Sequence, residues 1–125
     1  MKLLLRRDQK SGMLGKMSFV LAVRAEVTEE EKVNIKKYKL GDTMLYERDK
    51  IVGGSGLIGV ASRLAFKMMN LTVSVNDLSG GKQIECKDIV EMLAVEEQIK
   101  DACHTFQAVL TAASTFGGEE VIQIN

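Results

Sequence analysis

The stretch "KMSFVLAVRAEV", residues 16–27, decides how the chain is built. Met17, Phe19, Leu21, Val23 and Ala25 fall on one side and Ser18, Val20, Ala22, Arg24 and Glu26 on the other, the period of two of a β-strand. Val20 and Ala22 make the second side partly apolar, so the strand is expected in the interior of a sheet. Upstream, "KLLLRR" at 2–7 is short and strand-like, and the glycines of "SGMLG" at 11–15 supply a turn. The pair reads as a hairpin.

Downstream, Thr28 and Glu31 have the spacing of a capping box, in which a hydroxyl and a carboxylate reciprocally satisfy the first amides of a helix. This helix is expected to stop near Gly41, where glycine can take the left-handed conformation. Val33 and Ile35, with Tyr38 or Leu40, give it a narrow apolar stripe, so it should pack on the surface. "TMLYERDKIV" at 43–52 reads as a third strand. Leu57, Val60, Ala61, Leu64, Ala65 and Met68 then recur at helical spacing. "LTVSVN" at 71–76 alternates, and "DLSGGK" carries turn residues that would fold it back onto "QIECK", where Ile84 and Cys86 share a face.

The segment from Asp88 to about Ser114 is the longest helical pattern, with Asp88 as N-cap and Ile89, Met92, Leu93, Ile99, Cys103, Phe106 and Leu110 on one stripe. Gly117 and Gly118 end it, and "EEVIQI" at 119–124 reads as a terminal strand. The order β-β-α-β-α-β-β-α-β predicts an α+β fold, a mainly antiparallel sheet with helices on one face. At 125 residues a single domain spanning 1–125 is expected.

No apolar run approaches the roughly 20 residues of a membrane span, since Arg63 and Lys67 interrupt the most apolar segment. Three leucines before Arg6 are too few for a secretory signal. Cys86 and Cys103 make no disulfide framework. These features predict a cytoplasmic protein with no membrane association. The 17 basic and 17 acidic residues cancel, but residues 1–50 hold 12 of the bases against 8 acids and the remainder 5 against 9. Such asymmetry suits a basic face for nucleic acid or a head-to-tail contact between subunits. Part of it follows from helix electrostatics: Glu29, Glu30 and Glu31 precede Lys32, Lys36, Lys37 and Lys39, an order that complements the backbone dipole. The aromatic interleaving of single-strand binders is missing, so nucleic acid is not an expected partner.

Two constellations carry candidate chemistry. In "GGSGLIG", residues 53–59, Gly54, Gly56 and Gly59 match G-x-G-x-x-G, and Asp77 follows at the distance of a ribose-binding acid. Against a dinucleotide site stand the polar "YERDK" before the loop and the alternation of "LTVSVN", since parallel strands covered on both faces are nearly continuously apolar. The loop therefore reads as a tight connector, with cofactor binding by Gly54, Gly56, Gly59 and Asp77 as the alternative. The second constellation is Glu97, Asp101 and His104, which share one helix face and form a weak candidate for a divalent metal or for proton transfer. The competing reading is a solvated face on which Glu96 and Lys100 make an ordinary i,i+4 pair. Cys103 beside His104 is no dyad, because helix neighbours point about 100° apart. No G-x-S-x-G, H-E-x-x-H, paired C-x-x-C or phosphate-loop lysine occurs. No cofactor is expected. The leading expectation is a non-catalytic binding or interaction module forming a homo-oligomer, because "KLLL" and "VIQI" are candidate sheet edges needing a partner.

Overall fold

Alternation at 16–27 builds the central strand of a three-stranded antiparallel sheet. The structure, a computed structural model, describes residues 1–12, 15, 17–47, 72–119 and 121–124. In chain order its elements are β1 (Lys2–Ser11), β2 (Met17–Glu26), α1 (Glu29–Lys37), β3 (Met44–Glu47), β4 (Thr72–Ser74), α2 (Val75–Gly80), β5 (Lys82–Cys86) and α3 (Ile89–Ser114). β2 lies between β1 and β5, as its two partly apolar sides required. β3 and β4 form a separate antiparallel pair. The fold is α+β. The segment expected to form a helix from Leu57 lies outside the described residues.

Register explains the core. β1 and β2 pair Leu3 with Ala25, Leu5 with Val23 and Arg7 with Leu21, and β2 and β5 pair Leu21 with Ile84 and Phe19 with Cys86. One sheet face is thus apolar, and Leu21, Val23, Ile84 and Cys86 on it are buried. α3 lays Met92, Val95, Ile99, Cys103, Phe106 and Leu110 against this core, which Tyr46, Val73 and Leu78 complete. Ile89 and Leu93, expected on the buried stripe of α3, are exposed instead. Val95 and Glu96 are buried instead, in line with Met92, Ile99 and Cys103 at spacings of three and four, whereas Leu93 is turned about 100° away from Met92.

Glu96 is the largest departure from expectation. Read as surface charge, it is 2% exposed. The cause is Arg7, the one cation in the inward row of β1, whose guanidinium Nε donates to Glu96 Oε2 at 2.9 Å while Nη2 reaches Oε1. Lys100 adds a contact at 3.2 Å from the same helix. The Arg7 guanidinium holds the Glu96 carboxyl below the usual carboxylate range, outweighing burial, with Lys100 contributing.

A second carboxylate fastens the other end. The Thr28–Glu31 capping box is present, with Thr28 N donating to Glu31 Oε1 at 3.0 Å and Glu31 N to the threonine hydroxyl at 3.1 Å. The same carboxylate accepts from the Met1 amine at 3.0 Å, and that amine also donates to Gln107 on α3. Burial alone would raise the Glu31 pKa. The Thr28 amide and Met1 ammonium outweigh it and leave the group below its ordinary value.

Three further expectations are corrected. α1 ends at Tyr38, and the left-handed residue after it is Lys39 (φ 55°), not Gly41. Lys39 N–H bonds to the Lys36 carbonyl and Leu40 N–H to the Ile35 carbonyl, a Schellman ending with lysine where glycine is usual. Gly41 serves close approach: a Cβ there would lie 2.8 Å from Asn76 Oδ1. Next, "DLSGGK" is not a hairpin turn onto "QIECK". Ser74 and Asp77 form a second capping box that starts α2, and β5 pairs with β2 instead. Finally, residues 121–124 form no strand.

Because Glu31 and Glu96 have depressed folded-state values, the stability they contribute is complete above the unfolded carboxylate pKa of about 4.3 and is lost as pH falls through the folded values. Thermal unfolding should therefore show a melting temperature that declines below about pH 4.3. Glu96→Gln should cost about 1–2 kcal/mol at neutral pH and flatten that decline; an unchanged acid profile would remove Glu96 from this role.

Candidate functional site

Asp77 owes its position to the turn from β4 into α2. Its carboxylate Oδ2 accepts from the Ser74 amide and from the Ser74 hydroxyl, each at 3.0 Å. The Ser74 amide is the main reason its pKa lies below the ordinary value, with the hydroxyl second. The carboxylate is thus committed to a helix cap, a local use that the sequence carries as S-x-x-D at 74–77. Gly54, Gly56 and Gly59 lie outside the described residues. The strands described on either side of that region, β3 and β4, run antiparallel. In a dinucleotide unit the strands flanking the phosphate loop run parallel.

Glu97, Asp101 and His104 are exposed on α3, as their shared helix face predicts. Glu97 lies 3.6 Å from Lys100. Among the described residues no group of three His, Cys, Asp or Glu side chains is placed to hold a metal ion. Cys86 and Cys103 are both buried, and burial pushes the Cys103 thiol pKa up, the reverse of what a nucleophile requires. No helix among the described residues is long and apolar enough to cross a membrane.

What the fold does bring to the surface is the outer edge of β1. Among the described residues this ten-residue strand pairs only with β2, so half of its backbone groups face outward. Lys2, Leu4, Arg6 and Lys10 are exposed along it, and Arg6 pairs with Asp8 at 2.9 Å. At the opposite end of the chain, Gly117 (φ 89°) turns the backbone out of α3. Val121, Ile122 and Ile124 beyond it are 88%, 70% and 91% exposed. No family model, curated protein or solved structure matches the chain. The surface is therefore read from its own chemistry: an open, basic strand edge and an exposed apolar segment preceded by Glu119.

The assignment of Asp77 to a cap is checked by unfolding in urea. Ser74→Ala should lose about 1 kcal/mol, with Asp77→Asn destabilising in the same direction. Wild-type stability in both variants would release Asp77 for another role.

Proposed function

We propose that the protein is a non-catalytic interaction module that self-associates by strand addition, residues 119–124 of one copy pairing with the outer edge of β1 in another. The observation that carries this reading is a mismatch. "EEVIQI" has a strand's pattern, yet residues 121–124 have no sheet partner among the described residues, and they expose three large aliphatic side chains. Apolar exposure of this kind is characteristic of interaction surfaces. An added strand gains main-chain hydrogen bonds from an open edge and places alternate side chains on each face. Charge agrees with the pairing, since β1 carries Lys2 and Lys10 on its exposed side, with Arg6 paired to Asp8, and Glu119 precedes the apolar residues. A reciprocal exchange, each copy donating to the other, closes the assembly and consumes both edges.

Light scattering at tens of micromolar should give a species larger than the monomer that dissociates on dilution and with added salt, because exposed charge pairs are screened. Ile122→Pro removes a ladder donor and should return the monomer. A wild-type monomer at every concentration, whether the segment is loose or folded onto its own β1, overturns the proposal.

The alternative, nucleotide binding through Gly54, Gly56, Gly59 and Asp77, rests on the glycine spacing. A ligand at about 100 times its dissociation constant would add roughly 2.7 kcal/mol. With NAD, NADP, FAD, ATP and GTP the expected outcome is an unchanged melting temperature. A shift lost in Gly56→Val would favour the nucleotide reading.

A further inference from the structure

The turn after α1 borders a cleft distinct from the outer edge of β1. Its volume is about 540 Å³, within the roughly 300–1,000 Å³ of small-molecule sites. Its floor is apolar and comes from three elements: Ala25 of β2, Leu45 of β3, and Val75 and Leu78 of α2 are all buried, and Ile35 of α1 is half-buried beside them. One wall is cationic. Lys32, Lys36 and Lys39 line it, and of these Lys32 is already paired with Glu29 at 3.0 Å. Lys36 and Lys39 form no ion pair among the described residues, while Asp42, the acid on the opposite rim, accepts from the Asn76 amide at 3.2 Å.

Lysines late in a helix are ordinarily explained by the dipole, and that suffices for Lys36 and Lys37. It does not suffice for Lys39. Position 39 has φ 55°, where a Cβ is unfavourable and glycine relieves the strain. Side chains held in such conformations concentrate at ligand sites. Here the strained residue is one of the lysines that line an apolar cleft. We infer that the cleft binds a small amphipathic anion, an apolar chain lying on Ala25, Ile35, Leu45 and Val75 with its carboxylate or sulfonate met by Lys36 and Lys39. This ligand site is independent of self-association.

Titration calorimetry with octanoate tests it, with octylammonium as the charge-reversed control. Octanoate should saturate one site per chain and octylammonium should not bind. Lys39→Gly should weaken octanoate about tenfold while raising the unliganded melting temperature by about 3 °C, since glycine suits the left-handed position. Ser79→Trp, on the exposed rim, should block binding without touching the core. Absence of saturation, equal binding of octylammonium, or wild-type affinity in Lys39→Gly overturns the inference.

Discussion

A carboxylate on the buried face of a helix must be neutralised where it stands, and Glu96 imposes that requirement on this protein. Arg7 meets it from the sheet and Lys100 from the same helix. Because Arg7 sits opposite Leu21 in the inward row of β1, the ion pair fixes which residues of α3 lie over which strand. A helix packed only by aliphatic contacts could slide along an apolar sheet with little penalty, whereas a bidentate guanidinium and carboxylate tolerate little displacement. Near the far end of α3, Glu31, the Met1 amine and Gln107 make a second attachment. α3 is therefore tied down at two points, with the aliphatic core between them.

The two attachments leave the surface with a particular distribution. Sheet, α3 and the β3–β4 pair share one core, while α1 buries none of its residues fully and stands as the outer wall of the cleft. Its amphipathicity is weak because the core does not need it. Val33 is exposed and only Ile35 and Leu40 lean inward. A helix that contributes so little to the core is free to present Lys32 and Lys36 to the cleft. The edge of β1 is likewise left over from core formation: its inward Leu3 and Leu5 are used, while among the described residues its outward backbone groups have no partner strand.

Reading the candidate residues in sequence succeeded where chemistry was local. The capping boxes at 28–31 and 74–77 are both written in four residues, but at 74–77 the S-x-x-D spacing overlaps the strand-like alternation of "LTVSVN", which points to the wrong element. That competing pattern cost the sequence reading α2 and the true partner of β5. Glu96 could not be read as buried, because its i,i+4 lysine makes it look like an ordinary solvated pair and the residue that buries it is 89 positions away. The cleft was equally illegible. Its lysines show a dipole pattern, and its floor is assembled from residues that are far apart in the chain and unremarkable in their own segments.

By itself, then, the sequence determined the periods, the caps at Thr28 and Asp88, and the class: strands at 2–7 and 16–27, a helix opening at Thr28, a long helix from Asp88 to about Ser114, and an α+β fold with β2 inside its sheet. These follow from interactions within a few residues, which any stretch of chain carries with it. Tertiary structure alone decided that β5 joins β2 and that Glu96 is buried. Each of those depends on a distant group arriving at a set distance, and pairing, desolvation and strain are energies of the assembled core rather than of its pieces.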